Sequence, residues 1–287
     1  MMFRHLIIGT IASFGLASSA QAAVEISTTA RGLISNVRVV GQPVTVVGPI
    51  ASVTGRTAPG YSVNGGAASL ATNVGLGTVS GITATLSLNS GTITTAASAN
   101  GTTPADTSTG SASAQLDNLA ISLFTSNGGP PTSILNLTAT QVQSQTSGSK
   151  IGLVTTLSGQ SIFSTLNLSI NGSSVFSLGS NAQVAPNFVA YNQNGLKVTL
   201  NQHFTSTYDN TRVLITNAIG INFSNYLLDG RTLSNSITIG QSLAEFVNNA
   251  GDPVPEPASW VQMLAGFGLA GAAARKRRAA LSAKSGA

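Results

Sequence analysis

Cysteine is absent from all 287 residues of the chain, and charged residues make up only 7% of it. Without cysteine there can be no disulfide and no thiolate-bound zinc. A typical chain has about 25% charged residues, so the polarity here comes from Ser, Thr, Asn and Gln. With only two histidines and no Asp-x-Asp-x-Asp loop, the pattern indicates no zinc, calcium or other cofactor site. The fold must therefore rest on packing and hydrogen bonds.

The formal charge of +5 and a pI near 10.0 suggest a nucleic-acid partner, but the distribution of charge excludes one. Residues 23–252 contain seven Lys or Arg and seven Asp or Glu, so this region has no net charge. The excess of positive charge lies at the two ends of the chain. Binding to nucleic acid needs a patch that neutralises phosphates, and the central region has none.

The first 22 residues have the pattern of a secretory signal peptide. Arg4 and His5 precede an apolar stretch over residues 6–17. The sequence Ala20-Gln21-Ala22 then matches a small-x-small cleavage site. We predict cleavage after Ala22 by a signal peptidase, following transport by the secretion machinery.

Residues 253–278 combine a Pro-Glu-Pro turn, an apolar run and a basic cluster. The residues concerned are Pro255, Glu256, Pro257 and Trp260, then Arg275, Lys276, Arg277 and Arg278. The prolines exclude a helix interior or a central strand, which leaves an exposed segment that a protease can reach. The apolar run over 260–274 is predicted to be a short hydrophobic helix, and the basic cluster favours the cytoplasmic side. These features alone leave a sorting signal and a plain membrane anchor equally open.

The same segment resembles the PEP-CTERM sorting domain of bacterial envelope proteins. Pro255, Glu256, Pro257 and Trp260 match its signature, in the form with Trp three residues after the second Pro. Val261 stands where the family commonly has Ala, and the short tail 279–287 is longer than expected. The resemblance implies processing by an exosortase, a membrane-embedded cysteine enzyme, near Pro-Glu-Pro. It also implies a Gram-negative host that makes exopolysaccharide. The helix would lie transiently in the inner membrane before release to the outer surface or extracellular matrix.

Residues 23–252, the predicted mature domain, have the alternation of β-strands. Asn171-Gly172 and Asn194-Gly195 separate apolar stretches, and Asn-Gly favours the two-residue turn of a β-hairpin. We therefore predict an all-β fold, a sandwich of antiparallel strands, with a β-solenoid as the alternative. The discriminating feature is strand pairing, because the two hairpins require antiparallel neighbours.

A shift of 49 residues indicates an internal repeat of two strands. It places Leu86 on Leu135 and Leu88 on Leu137 without a gap. The same shift places Leu119 on Leu168. Each unit would consist of two strands, the first unit beginning near residue 83 and the second near residue 132. Two units are too few to establish a solenoid.

Three local expectations concern the remaining segments. Residues 97–113, rich in Ser, Thr and Ala, are predicted to form a loop between strands. Residues 161–226 hold eight of the aromatic side chains and are predicted to supply much of the core. Residues 242–249 begin with a capping-box pattern, Ser242 followed by Glu245, and are predicted to form a short helix.

The sequence contains little that indicates catalysis. His203 is the one histidine of the central region, with Ser206 and Asp209 nearby. No Gly-x-Ser-x-Gly pattern occurs, and no spacing of the carboxylates favours a glycosidase pair. We predict no catalytic residue.

A separate hypothesis concerns sugar binding, since exposed aromatic rings can stack on sugars. The candidates are Tyr191, Tyr208 and Tyr226.

Three functions remain as hypotheses. The first is a non-enzymatic surface or matrix protein that is processed by an exosortase and contributes to an exopolysaccharide layer. The second is a glycan-binding adhesin module, and the third is a secreted hydrolase acting through His203. In general character the mature region is also similar to the secreted choice-of-anchor domains that share such sorting tails.

Overall fold

A computed structural model describes residues 25–40, 47–56, 60–100, 108–151 and 154–247 of the chain. Within these ranges the regular structure is entirely β-strand, and all strand pairings are antiparallel. The prediction of an all-β, antiparallel chain is therefore confirmed. The strands are β1 Glu25–Ser35, β2 Arg38–Val39, β3 Val47–Arg56, β4 Gly60–Ala67, β5 Leu70–Val79, β6 Ile82–Ser90, β7 Ile93–Asn100, β8 Ser108–Ser126, β9 Thr132–Ile151, β10 Val154–Ser164, β11 Asn167–Ile170, β12 Ser173–Ser177, β13 Ala182–Gln183, β14 Phe188–Gln193, β15 Leu196–Tyr208, β16 Thr211–Leu228 and β17 Arg231–Val247.

The strands form two sheets that share one hydrophobic core. The seven-stranded sheet has the order β14-β15-β16-β17-β1-β3, with β2 also pairing with β17. The ten-stranded sheet has the order β12-β11-β9-β8-β6-β5, with β10 and β13 joined beside β9, and β7 and β4 joined beside β8. Leu116 and Leu137 of the ten-stranded sheet lie in the same buried cluster as Leu200 and Ile239 of the seven-stranded sheet. Two sheets packed across such a core form a sandwich, so the structure is the predicted sandwich and not the alternative solenoid.

Both predicted hairpins are present. Asn171 and Gly172 join β11 to β12 with φ angles of 49° and 76°. Asn194 and Gly195 join β14 to β15 with φ angles of 52° and 84°. Two consecutive positive φ angles are what a type I′ turn requires, and Asn and Gly tolerate them best.

The predicted repeat corresponds to two neighbouring long hairpins, with one change of register. In the first hairpin β8 pairs with β6 and β7, and Leu88 lies opposite Ile121. In the second hairpin β9 pairs with β10 and β11, and Leu137 lies opposite Leu168. Equivalent residues of the first strands of the two hairpins, such as Leu88 and Leu137, are thus 49 positions apart in sequence, as predicted. Equivalent residues of the second strands, such as Ile121 and Leu168, are 47 positions apart. Leu168 therefore corresponds to Ile121 and not to Leu119, because strand pairing sets the equivalence.

Both sheets contain positions at which the inward and outward alternation of side chains changes phase. They are Asn118 in β8, Thr165 between β10 and β11, Asn201 in β15 and Gly240 in β17, with φ angles of 49°, 47°, 49° and 57°. Leu200 faces the core, and the next residue takes a left-handed conformation. Gln202 then faces outward, whereas His203 faces the ten-stranded sheet near Gly159. A single left-handed residue therefore reverses the face on which every later side chain of the strand lies.

The interior of the sandwich has two halves of different composition. The leucine-rich half is the main buried cluster, formed largely by Leu, Ile and Val side chains. The hydroxyl-rich half consists of inward rows from both sheets, made of small side chains and one histidine. These rows are Thr95, Ala114, Ser144 and Ser161, then Ala97, Ala112, Thr146 and Gly159 of the ten-stranded sheet, and Ala30, Ser242, Thr216 and His203 of the seven-stranded sheet. A small cluster of Ile26, Ala244 and Phe246 lies beyond them.

Two local predictions were wrong. The predicted helix over 242–249 is strand β17 as far as Val247. Ser242 does not act as a helix cap, because its hydroxyl group hydrogen-bonds to Thr146 Oγ1 at 2.8 Å. The prediction of a loop over 97–113 was wrong at its two ends, because residues 97–100 belong to β7 and residues 108–113 to β8, which pair with each other. Their small side chains form part of the hydroxyl-rich half. Residues 101–107 lie outside the described ranges.

The aromatic residues contribute less to the core than predicted. Phe163, Phe223 and Tyr226 are buried, but Phe188, Phe204 and Tyr208 are among the exposed large side chains. Most of the largest fully buried side chains are Leu or Ile. The described ranges contain no helix that is long and apolar enough to cross a membrane.

Candidate functional site

A polar groove lies on the outer face of the seven-stranded sheet, across β15, β16 and β17. Its volume is about 410 Å³. The phase change at Asn201 places Gln202 and Phe204 on this outer face, together with side chains of the two neighbouring strands. The side chains that line it include Lys197, Thr199, Gln202, Phe204, Asn217 and Asn222. None of the lining residues carries a carboxylate, so the groove has one cation, several neutral hydrogen-bonding groups and one aromatic ring.

Four side chains form a hydrogen-bonded ladder across the sheet beside this groove. Arg31 Nη1 donates to Gln241 Oε1 at 3.2 Å, and Gln241 Nε2 donates to Asn217 Oδ1 at 3.0 Å. Asn217 Nδ2 then donates to Gln202 Oε1 at 3.1 Å. Because arginine can only donate, Gln241 must present its oxygen to Arg31, and the orientation of each following amide is fixed in turn. The ladder therefore ends at the groove with the Nε2 donors of Gln202.

Gly220 forms part of the groove floor beneath Gln202. A Cβ atom at this position would lie 2.5 Å from Gln202 Oε1, closer than van der Waals contact allows. The φ angle of Gly220 is not in the left-handed region, so the backbone conformation does not require glycine. The missing side chain is what allows Gln202 to lie flat against β16.

Phe204 stands at one side of the groove, two residues after Gln202 on β15. Its side chain is 49% exposed, although a phenylalanine is more often buried. Its neighbours in sequence are His203 and Thr205, and its partner across the sheet is Ile215 of β16. It is therefore the aromatic member of an otherwise polar stretch of β15. In the sequence, Gln202 and Phe204 are two residues apart, so they lie on the same face of a strand. Which face that is can be assigned only once the phase change at Asn201 is known.

The three tyrosines predicted as glycan contacts do not share one surface. Tyr191 is half-buried and packs against the main core cluster. Tyr226 is 9% exposed, its ring centroid lies 6.0 Å from that of Phe223, and burial, with a smaller contribution from Tyr191, raises its pKa. Tyr208 is 51% exposed at the far end of β15. Their role in sugar binding stays a prediction, and Tyr208 is the most accessible of them.

Tyr208 has a carboxylate partner. Its hydroxyl group donates to Glu245 Oε1 at 3.1 Å, and this hydrogen bond together with the negative charge of Glu245 raises the pKa of Tyr208. Tyr208 is not among the groove's lining residues. It is therefore an exposed aromatic ring on the same strand but outside the groove.

His203 has an amide as its ring partner. Its Nε2 lies 3.0 Å from Asn201 Oδ1, and its backbone N–H donates to Asn187 Oδ1 at 2.8 Å. Burial lowers the pKa of His203. Asp209, the expected orienting acid, lies in the turn between β15 and β16. Within the described part of the chain no group of three or more His, Cys, Asp or Glu side chains is placed to bind a metal ion. Absence of enzymatic activity stays a prediction.

The predicted sorting residues lie outside the described ranges. They are Ala20 and Ala22 at the signal-peptide cleavage site, Pro255, Glu256, Pro257 and Trp260 of the motif, and Arg275, Lys276, Arg277 and Arg278 of the basic cluster. The predicted hydrophobic helix and the domain boundaries after residues 22, 252 and 278 lie outside them as well.

The comparison with protein families identifies this terminal segment. Residues 253–278 match the PEP-CTERM protein-sorting motif, the segment for which the sequence predicted that motif. No curated protein and no solved structure matches the chain significantly. The motif supports an exported protein that is sorted and processed by an exosortase. The similarity of the mature region to choice-of-anchor domains stays a prediction.

Proposed function

We propose that the chain is an exosortase-processed protein of the cell surface or extracellular matrix, with a non-enzymatic structural role in association with exopolysaccharide. The observation that carries the proposal is the PEP-CTERM motif at residues 253–278. Cleavage near Pro-Glu-Pro would separate the sandwich from the C-terminal segment that holds it at the membrane. The sandwich would then act outside the cell, where polysaccharide is the surrounding polymer.

The surface chemistry of the sandwich supports this role. Residues 23–252 have no net charge, so association with a polymer cannot rest on bulk electrostatic attraction. Neutral hydroxyl and amide groups provide the polarity, and such groups exchange hydrogen bonds with sugar hydroxyl groups in the same way as with water. We therefore expect the association to survive moderate salt, in contrast to binding that depends on counterion release.

The glycan-binding adhesin is a second candidate, and the groove on the seven-stranded sheet favours it. Ligand sites combine a concave surface with a few fixed polar groups, and the groove has both. The two candidates differ in a measurable way. A structural matrix protein needs only weak, distributed contact with polysaccharide, whereas an adhesin needs a saturable site.

The sorting step is tested by changing both prolines of the motif. The variant Pro255→Ala with Pro257→Ala, expressed as the full-length chain in the host, should remain unprocessed in the membrane fraction. The wild-type chain should appear as a shorter product at the surface or in the medium. Ser282→Ala, outside residues 253–278, is the matched control and should be processed normally. Normal processing of the double-proline variant would show that the Pro-Glu-Pro motif is not required for processing.

The location of the processed protein tests the remaining part of the proposal. Enzymatic digestion of the host's exopolysaccharide should release the processed wild-type protein from the cell surface, whereas a salt wash should not. Release by salt alone, or retention after complete digestion, would show that the association is not with polysaccharide.

A further inference from the structure

We propose that the groove on the outer face of the seven-stranded sheet is a saccharide-binding site. It would accept a short segment of a neutral or uronate-containing polysaccharide. Gln202 and Asn222 would hydrogen-bond to sugar hydroxyl groups, Phe204 would stack on a sugar ring, and Lys197 would contact a sugar carboxylate where one is present. This inference rests on the proposed association with exopolysaccharide and assigns it to particular residues.

The ladder of four side chains gives the groove a preorganised donor. Binding is weakened by the entropy lost when a mobile side chain becomes ordered. The Gln202 amide is already held by Asn217, which is 4% exposed and is itself held by Gln241. Little conformational freedom is therefore left for Gln202 to lose when it binds a hydroxyl group.

The ladder also polarises that donor. Its first member is the Arg31 cation, and each amide donates toward the next in one direction. Hydrogen bonds arranged head to tail strengthen one another. The Nε2 group of Gln202 is thus a stronger donor than an isolated amide, as suits the oxygen of a sugar hydroxyl group.

The aromatic ring supplies the apolar part of a sugar site. The faces of many sugar rings present C–H groups, which can pack on an exposed aromatic face. Phe204 is 49% exposed and lies beside the groove's amides. Stacking and hydrogen bonding are therefore available to the same ligand, and a purely structural surface has no need for that combination.

The charge of the groove restricts the class of ligand. Lys197 is the one cation among the lining residues, and none of them is acidic. A single cation accommodates an occasional uronate but does not neutralise the closely spaced phosphates of nucleic acid. The volume of about 410 Å³ lies within the range of roughly 300–1,000 Å³ usual for small-molecule sites.

The experiment measures binding of the processed protein, purified from host cells that express the full-length chain. The probes are the host's purified exopolysaccharide and two immobilised sets of oligosaccharides, neutral gluco-oligosaccharides and uronate oligosaccharides. We expect saturable binding of the wild-type protein. Phe204→Ala and Gln202→Ala should each weaken binding about tenfold or more. Phe204 is half-exposed, so Phe204→Ala should change the melting temperature little. Gln202→Ala takes the hydrogen-bond acceptor from the buried Asn217 amide and should lower the melting temperature, so binding is measured well below the melting temperatures of all variants.

Gly220→Ala and Tyr208→Ala sharpen the test. The added methyl group of Gly220→Ala should displace Gln202 and weaken binding without removing any ligand-contacting group. Tyr208→Ala tests the other predicted sugar contact on the same strand, which lies outside the groove. It should bind like the wild type if the groove is the site, and weakened binding would place the sugar contact at Tyr208 instead. Lys197→Ala should weaken binding only to uronate oligosaccharides.

Two negative results have different meanings. If the wild-type protein binds the exopolysaccharide and the Phe204 and Gln202 variants bind equally well, the groove is not the site, but the proposed association stands. If the wild-type protein binds none of the three probes, both the saccharide site and the association with exopolysaccharide are overturned.

Discussion

The leucine-rich and hydroxyl-rich halves of the sandwich bring the same two sheets together by different means. In the leucine-rich half, side chains such as Leu86, Leu137 and Ile219 are fully buried and fill the space between the sheets. In the hydroxyl-rich half, Thr146 and Ser242 are equally buried, and their hydroxyl groups hydrogen-bond across the gap at 2.8 Å. The comparison shows that a chain without cysteine can connect two sheets through small hydroxyl side chains as well as through apolar volume.

The two halves should not contribute equally to stability. Burial of apolar surface is favourable by about 25 cal/mol per Å², which favours the leucine-rich half. In the hydroxyl-rich half several buried oxygens have no hydrogen-bond partner within the described ranges. They are the side-chain oxygens of Thr95, Ser144, Ser161 and Thr216. The Ala, Ser and Thr side chains of these rows bury less apolar surface than Leu or Ile, so this half should stabilise the domain less per residue.

The largest effect is expected from a cavity in the leucine-rich half. Leu137 is fully buried in β9. Leu137→Ala should lower the free energy of unfolding by about 2–5 kcal/mol, because it removes buried methyl groups and leaves a cavity. Urea denaturation measures the change. Leu227→Ala is the control, since Leu227 is 72% exposed and should change stability by less than about 0.5 kcal/mol. Equal effects of the two variants would contradict the importance assigned to this half.

A smaller effect, of opposite sign at two neighbouring positions, is expected in the hydroxyl-rich half. Thr146→Val keeps the side-chain shape but removes the bond to Ser242, so it should destabilise the domain by about 1–3 kcal/mol. Ser144 lies on the same face of β9, and among the described residues no protein group is within hydrogen-bond distance of its oxygen. Ser144→Ala should therefore be neutral or stabilising by up to about 1 kcal/mol. A loss of stability in Ser144→Ala as large as that in Thr146→Val would show that the Ser144 hydroxyl group makes a stabilising hydrogen bond, for example to a buried water.

The parts of the fold that could be predicted from sequence are those with strong local signals. Asn171-Gly172 and Asn194-Gly195 indicate their hairpins because these residues tolerate positive φ better than others. These turns predict antiparallel neighbours, which favoured the sandwich over the solenoid. The first strand of each repeat unit was placed correctly as well, because its alternating leucines face the core.

The parts that could not be predicted depend on contacts between distant residues. A left-handed Asn118 or Asn201 reverses the facing of a strand, yet nothing in the neighbouring sequence distinguishes it from an ordinary strand asparagine. The start of β8 resembles a loop in sequence because Ser and Ala are poor indicators of burial. Ser242 matches a helix cap in sequence, and its actual partner, Thr146, lies 96 residues away. The groove was missed for the same reason, since Arg31 and Gln241 meet only through the pairing of β1 with β17.

The smallest effect expected is a pH dependence that arises in the hydroxyl-rich half. His203 faces this half, and burial lowers its pKa below the ordinary value of 6.5. The unfolded chain therefore binds a proton more readily than the folded domain, so the contribution of His203 to stability is present above about pH 6.5 and is lost as the pH falls. His203→Gln should reduce the loss of melting temperature between pH 7.5 and pH 5.0 relative to the wild type. Carboxylates titrate equally in both proteins, so the difference between the two reports on His203. An unchanged pH dependence would mean that His203 is as accessible to protons in the folded domain as in the unfolded chain.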